Sequence, residues 1–187
     1  MSVDQLKEEK DVTIRWLHFP LHPETPPEGI FMKDLYKNRD RESAKAYGDH
    51  LRALMAEAGL TYNKRTRLDN SRIAQELGAW ADTQMEGDEF HYAMFQAYFL
   101  DDRTISDRDT LIDIAGSVGL DKQTAREVIE SRSFSAKVTE DWNRAWENGV
   151  TGVPTFVARD LFVYGSQPYE VLERFYNNLR KMQDQES

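Results

Sequence analysis

The chain contains no cysteine in its 187 residues. This absence excludes disulfide bonds, thiolate metal sites and a thiol nucleophile within these residues, because each needs a cysteine sulfur. The sequence also lacks a glycine-rich phosphate loop, a His-Glu-x-x-His pattern and a Gly-x-Ser-x-Gly pattern. The commonest signatures of nucleotide, zinc-peptidase and serine-hydrolase chemistry are therefore missing.

Long hydrophobic runs are missing as well. No apolar stretch approaches the roughly eighteen residues needed to cross a bilayer, and the first ten residues, MSVDQLKEEK, lack a signal-peptide core. The net charge of −9, from 33 acidic and 24 basic residues, disfavours non-specific binding to nucleic acid because phosphates repel it. We therefore expect a cytoplasmic protein that binds neither a membrane nor nucleic acid.

The sequence does contain the pattern of a folded α/β chain. Residues 12–19, VTIRWLHF, alternate apolar and polar side chains and predict a strand that stops at Pro20. From about Glu42 to Asn148 every periodic segment is helical. The predicted helix-terminal residues are Gly59 as a C-cap, Asn70 or Ser71, Asp88 and Asp121 as N-caps, and Ser106 with Asp109 as a capping box.

After this helical block the periodicity changes. Residues 155–158 and 161–164 predict two short strands that form a hairpin through Arg159 and Asp160, and a closing helix begins near Pro168. The hairpin follows Gly152-Val153-Pro154-Thr155. A cis peptide between Val153 and Pro154 is energetically accessible, because a cis bond before proline costs only about 0.5–1 kcal/mol.

Residues 149–157, GVTGVPTFV, together with the hairpin and residues 165–172, GSQPYEVL, resemble the C-terminal half of DsbA-family oxidoreductases. Residues 19–26, FPLHPETP, and 90–99, FHYAMFQAYF, are similar to the FrnE-like branch of that family. The resemblance implies a thioredoxin-like α/β fold. Residues 1–30 and 149–187 would form its core, and residues from about 31 to 148 would form a large all-helical insertion.

The resemblance also implies a binding site. Gly152, Val153 and Pro154 would form a cis-proline loop whose backbone holds an extended protein substrate or a small thiol substrate. In the family, a strand and a Cys-x-x-Cys motif open the chain, and both are missing here. The chain as written therefore has no catalytic thiol, and we assign no catalytic residue, cofactor or metal.

The missing strand would lie between residues 12–19 and 155–158. We expect that Met1 is a shortened start of a longer oxidoreductase, whose cysteines lie upstream. Two alternatives stay open: residues 12–19 shift against 155–158, or a partner chain completes the sheet, for example in a homodimer.

Two further functions stay open besides oxidoreduction. One is a non-catalytic, peptide-binding or dimerising relic of the fold. The other is a glutathione-dependent isomerase-like protein, since kappa-class glutathione transferases and chromene-carboxylate isomerases share the architecture and use a serine. For the isomerase-like protein, Ser2 is the candidate for the catalytic serine, because it is the only serine near the start of the first helix.

Other patterns favour ordinary structural roles. His18 and His22 are separated by Pro20, so we expect a strand histidine and no metal pair. The acidic group at 101–109 lacks the glycine and glutamate of a calcium loop and predicts a solvated loop with a helix cap. The aromatic residues are expected in the core, with a substrate pocket as the alternative: Phe90, Phe95, Tyr98, Phe99, Trp142 and Trp146.

Overall fold

The computed structural model describes residues 2–35, 37, 41–57, 59–61, 63 and 65–186. Met1, where the sequence predicts a shortened start, lies outside them. The elements in chain order are α1 (Ser2–Glu9), β1 (Ile30–Phe31), α2 (Met32–Leu35), α3 (Arg41–Glu57), β2 (Arg67–Leu68), α4 (Arg72–Ala81), α5 (Gly87–Phe99), α6 (Arg108–Ser117), α7 (Lys122–Ser131), α8 (Ser135–Glu147), β3 (Thr155–Ala158), β4 (Leu161–Tyr164) and α9 (Tyr169–Glu186). Within the described residues, none of the helices is long and apolar enough to span a membrane.

The chain folds into two compact units. One comprises Met1–Leu21 and Asp141–Ser187, and the other comprises His22–Glu140. Both chain termini thus belong to one unit, and the helical block belongs to the other. The domain boundaries that the sequence predicts, near residues 30 and 148, stay a prediction.

The helical unit has a continuous hydrophobic core. Helix α4 packs on α5 and α7, and α6 packs on the same two helices. Phe90, Leu77 and Leu111 are among the largest side chains that are completely buried there. Burial of apolar surface at about 25 cal/mol per Å² is the main stabilising term of such a bundle.

Capping residues fix where these helices begin and end. Gly59 has a φ of +70°, which confirms it as the predicted left-handed C-cap, and the Leu60 N–H donates to the Met55 carbonyl at 2.8 Å, as in a Schellman motif. Asp121 accepts a hydrogen bond from the Thr124 N–H at 2.7 Å and caps α7 as predicted.

Two caps differ from the prediction, and at α4 it is Asn70, one of the two predicted residues, that accepts a helix N–H. Asp107, and not Ser106, caps α6 by accepting from the Thr110 N–H at 2.8 Å. Helix α5 begins at Gly87, so Asp88 lies in its first turn. Ser71 precedes α4 without a side-chain cap, while Asn70 Oδ1 accepts from the Arg72 N–H at 2.9 Å.

The predicted strand at residues 12–19 is wrong. No strand is assigned between residues 10 and 20. The expected alternation is nevertheless present in the burial, since Val12, Ile14 and Trp16 are half-buried between exposed neighbours. A strand is defined by a hydrogen-bonded ladder, so an alternating segment without one stays irregular. A short antiparallel pair that the sequence did not predict, Ile30–Phe31 with Arg67–Leu68, forms in the helical unit.

The predicted hairpin is confirmed in the unit that contains the termini. Thr155 pairs with Tyr164, and Ala158 with Leu161, in a two-stranded antiparallel sheet closed by a two-residue turn. Arg159 in that turn has a φ of 51°. In the same unit α1 packs against α9, in which Leu172 is 1% exposed.

Candidate functional site

The site begins where α8 ends. Gly149 has a φ of +67° and donates its N–H to the Trp146 carbonyl at 2.9 Å. The Val150 N–H donates to the Ala145 carbonyl at 2.9 Å, which completes a Schellman motif, and the Val150 side chain is 9% exposed. This cap turns the chain sharply out of the helix and anchors the first residues of the loop.

The loop then passes through a cis peptide bond between Val153 and Pro154, which confirms the prediction. Two hydrogen bonds hold it in place. Thr155 Oγ1 donates to the Gly152 carbonyl at 2.7 Å, and the Gly165 N–H donates to the Pro154 carbonyl at 2.8 Å. The loop is therefore fixed on one side by its own threonine and on the other by the end of β4.

The three residues predicted to bind substrate lie together in this loop. Val153 is 54% exposed, Pro154 is exposed and Gly152 is half-buried. A Cβ added at Gly152 would meet no atom within 4 Å, so the space in front of its backbone is open. Substrate binding by Gly152, Val153 and Pro154 stays a prediction.

The register of the hairpin decides which way the backbone groups point. In an antiparallel pair, residues alternate between those that bond their partner and those whose N–H and C=O point away. Pro154 bonds Gly165, so Phe156 and Ala158 also face β4. The N–H groups of Thr155 and Val157 consequently face away from β4.

A polar network joins the helices of the same unit. Tyr169 Oη donates to Glu9 Oε2 at 2.6 Å, and Lys10 Nζ lies 2.7 Å from Glu173 Oε1. The hydrogen bond to Glu9, together with desolvation, raises the pKa of Tyr169 to about 12. The hydrogen bond from Tyr169 lowers the pKa of Glu9. This network ties the end of α1 to the start of α9.

The remaining sequence candidates have separate positions. Ser2 is the first residue of α1 and is half-buried. His18 lies in the irregular segment after α1, and His22 Nδ1 lies 3.5 Å from Glu24 Oε1 in the other unit. Over the described ranges, no group of three or more histidine or acidic side chains could hold a metal ion.

The acidic group at 101–109 contains structural carboxylates. Asp102 accepts from the Thr66 N–H at 3.1 Å and from Thr66 Oγ1 at 2.8 Å, and Asp107 caps α6. The predicted loop with a helix cap is therefore present. The aromatic candidates divide: Phe90 is a core residue at 1% exposure, whereas Phe95 and Trp146 are 44% and 53% exposed.

The sequence did not predict the two hydrogen bonds that hold the loop, from Thr155 Oγ1 and from the Gly165 N–H. The threonine that follows the proline was read only as the first strand residue, although its hydroxyl is suited to bonding a nearby carbonyl. Gly165, with a φ of +78°, directly follows β4. A glycine at a strand end was the available signal for such a turn.

The profile of the DSBA-like thioredoxin domain matches residues 1–177. The chain is 26% identical over 175 residues to the uncharacterized protein YwbO of Bacillus subtilis (strain 168), covering 92% of this chain and 84% of that protein.

Two solved structures are similar over nearly the whole chain. SCO1869 of Streptomyces coelicolor, described as a probable DsbA oxidoreductase, has 25% identity and a TM-score of 0.83 over 92% of this chain and 77% of that one. A 2-hydroxychromene-2-carboxylate isomerase has 18% identity and a TM-score of 0.72 over 99% and 90% of the two chains. The second likeness supports the fold alone. The thioredoxin-like fold with a helical insertion that the sequence predicts is confirmed.

Proposed function

Because the chain belongs to the DSBA-like thioredoxin domain family, we propose that it serves thiol–disulfide oxidoreduction on a protein or small thiol substrate. In this proposal Gly152, Val153 and Pro154 hold the substrate. The redox cysteines come from outside these 187 residues, which contain none.

The proposal depends mainly on the loop at Val153 and Pro154. It is braced by Thr155 and Gly165, and it is exposed at Val153. An extended polypeptide binds an exposed backbone segment through main-chain hydrogen bonds. A rigid loop loses little conformational freedom on binding, which favours affinity.

The chemistry defines what this chain contributes. In thiol–disulfide exchange a thiolate attacks one sulfur of a disulfide, and the other sulfur leaves as a thiolate. A second thiolate then resolves the mixed disulfide, so that one disulfide is reduced while one dithiol is oxidised. Each step needs a sulfur nucleophile, so the residues of this chain act by binding and orienting the substrate.

A second function uses the same loop without redox chemistry. The absence of cysteine favours a chain that binds an extended peptide, or a second copy of itself, without exchanging disulfides. Glutathione binding at the Val153 backbone is the related alternative for an isomerase-like protein. These functions differ from oxidoreduction in that none of them requires a thiol in the natural gene product.

The test begins with the natural gene product purified from its source and identified by intact mass. We expect it to contain a redox cysteine pair, or to bind a subunit that does, and to accelerate reduction of disulfides in an unfolded protein. Val153→Pro removes the N–H at the loop and should lower kcat/KM about 10-fold, whereas Val153→Ala keeps that N–H and should change it little.

Three results separate the functions. A product without cysteine that binds reduced peptides in calorimetry would support the non-catalytic function. Saturable binding of glutathione, weakened by Val153→Pro, would support the isomerase-like function. A product that is active, but whose kcat/KM is unchanged by Val153→Pro and by Val153→Ala, would contradict substrate binding at this loop.

A further inference from the structure

Basic residues are concentrated in two short segments of this acidic chain. Residues 31–41, FMKDLYKNRDR, and 63–67, NKRTR, together contain seven basic and two acidic side chains, a balance of +5. The rest of the chain contains 17 basic and 31 acidic side chains, a balance of −14. The net charge of −9 is therefore the sum of a basic part and a much larger acidic part.

The fold brings the two basic segments together in the helical unit. Phe31 of β1 is the register partner of Arg67 of β2, and the Met32 N–H donates to the Thr66 carbonyl at 3.0 Å. Phe31 is 46% exposed, and Lys33 is exposed as well. Lys33 from one segment and Arg67 from the other therefore lie beside the same small sheet.

The cations at this sheet lie on aromatic rings. Lys33 Nζ and Arg67 Cζ are 5.2 Å and 4.6 Å from the centroid of the Phe31 ring. Arg65 Cζ is 4.1 Å from the centroid of the Tyr98 ring. A ring attracts a cation through its quadrupole but carries no net charge. The positive charge of the three side chains is therefore held in place without being neutralised.

Carboxylates neutralise little of this charge. Arg67 Nε lies 3.5 Å from Asp69 Oδ1, but within the part of the chain that the structure describes neither Lys33 nor Arg65 takes part in an ion pair. Arg65 Nε and Nη1 are buried and have no acceptor. The nearby carboxylate of Asp102 already accepts two hydrogen bonds from the residue that precedes β2. Positive charge is thus left over for an anion from outside the fold.

We propose that a basic surface, defined by Phe31, Lys33, Arg65 and Arg67, binds an acidic segment of another polypeptide. Its carboxylates face the three cations, and an apolar side chain of the segment packs on the exposed Phe31 ring. The basic surface lies in the helical unit and does not include the cis-proline loop. The inference is therefore independent of the proposed function.

The placement of the cations favours an extended anion over a small one. Arg65 lies on the Tyr98 ring and Arg67 on the Phe31 ring, so the two guanidinium groups are held on separate rings. Sites for small ligands are instead formed by polar groups that converge on one point. A run of glutamate and aspartate residues offers carboxylates at successive positions, so it can contact cations that are spread over a surface.

Charge also distinguishes a short acidic segment from other anionic occupants. The balance of −14 in the rest of the chain repels a long nucleic acid wherever its phosphates extend past the basic surface. A second copy of this chain carries −9 and is repelled as a whole. A short segment encounters mainly the local attraction, because salt screens charges beyond about 8 Å.

The experiment titrates the 187-residue protein with the synthetic peptide Gly-Glu-Asp-Glu-Phe-Glu-Asp-Glu-Gly and measures affinity by calorimetry. We expect saturable binding that weakens as the salt concentration rises, because exposed charges are screened. The same peptide with glutamine and asparagine in place of glutamate and aspartate should not bind.

Single substitutions locate the binding site. Lys33→Gln removes one exposed cation and should weaken binding about 2- to 5-fold, whereas Lys33→Arg keeps the charge and should bind as wild type. Arg65→Gln should weaken binding about 10-fold, since a hydrogen bond to a charged group contributes more. Arg108→Gln removes an exposed cation of the same unit outside the basic surface and should change binding little. Val153→Pro should also leave the affinity unchanged.

Each remaining outcome overturns the inference. Equal effects of Lys33→Gln and Arg108→Gln would show that only the overall charge matters. Displacement of the peptide by an equal concentration of inorganic phosphate would replace the polypeptide with a small anion. Binding of single-stranded oligothymidylate without binding of the peptide would replace it with nucleic acid, and a dimer that binds no peptide would replace it with a second copy. Peptide binding that is lost in Val153→Pro and kept in Lys33→Gln would belong to the loop.

Discussion

Arg132 Nη2 donates to Glu76 Oε1 at 2.7 Å, from a residue whose φ of 55° lies in the left-handed region. The same carboxylate accepts from Arg72 Nε at 2.7 Å, and it is 2% exposed. A non-glycine residue with positive φ is uncommon, and the bonds to Glu76 stabilise it here. Glu76 thus joins the end of α7 to the start of α4.

Substitution Glu76→Gln should destabilise the protein by about 1 to 2 kcal/mol, in line with the loss of hydrogen bonds to a charged group. It leaves two guanidinium groups beside a neutral amide, but Arg132 is 43% exposed and Arg72 is 19% exposed, so water solvates part of the charge that stays behind. The measurement is urea unfolding followed by circular dichroism. Glu130→Gln on the exposed side of α7 is the control and should stay within about 0.5 kcal/mol. Equal effects of the two substitutions would contradict the role of Glu76.

The same carboxylate should contribute to acid unfolding. Burial raises the pKa of Glu76, but hydrogen bonds from Arg132 and Arg72 outweigh it and hold the pKa below 4.5. Since the folded pKa lies below the unfolded one, this contribution is fully present above pH 4.5. It is lost as the pH falls through the folded pKa. The difference in unfolding free energy between wild type and Glu76→Gln should therefore shrink below pH 4.5. A difference that stays constant from pH 7 to pH 3 would exclude this linkage.

The cap of α6 gives a test at adjacent residues. Asp107→Ala removes the acceptor of the Thr110 N–H and should cost about 1 kcal/mol. Ser106→Ala should cost little, because the hydroxyl one residue earlier does not cap the helix. Thermal unfolding of both variants is the measurement. A larger loss at Ser106 would restore the cap that the sequence predicts.

The Tyr169 hydroxyl should ionise at a higher pH than an ordinary tyrosine, which makes it identifiable by titration. Its pKa of about 12 results from the hydrogen bond to Glu9, with desolvation adding to it. Carbon NMR of tyrosine labelled at Cζ should show one resonance that titrates near pH 12 and disappears in Tyr169→Phe. In Glu9→Gln the same resonance should titrate closer to the ordinary value of 10.0. An unchanged titration in Glu9→Gln would show that the two side chains are not bonded in solution.

The sequence predicted features that depend on neighbours along the chain. The hairpin at 155–158 and 161–164 follows from β-branched and aromatic residues around a short turn, and the C-cap at Gly59 follows from the freedom of glycine. Features that depend on a partner far away in the sequence, such as strand pairing, were harder to predict. The segment at 12–19 has the alternation of a strand but lacks a ladder partner in the described residues.

Residues that depend on tertiary contacts were the ones missed. Glutamate is usually found on the surface, so the sequence did not predict that Glu76 is buried. Its ion-pair partner Arg132 lies 56 residues away in sequence. The short pair of β1 and β2 has no periodic pattern at all, because two residues are too few to show one. At the candidate site, the sequence predicted the cis-proline loop of Gly152, Val153 and Pro154 but not the hydroxyl of Thr155 that braces it.

That hydroxyl provides the last prediction. Thr155→Val keeps the shape of the side chain and removes the donor to the Gly152 carbonyl, so the loop should lose one of its two supports. We expect peptide affinity to fall about 3- to 10-fold, in line with the loss of one hydrogen bond. Thr151→Val, an exposed position in the same loop, is the control and should bind as wild type. Calorimetry with an unstructured, apolar synthetic peptide measures both variants. If Thr155→Val binds as tightly as Thr151→Val, the loop does not need this brace, and its order must come from the Gly149 cap and the Gly165 bond.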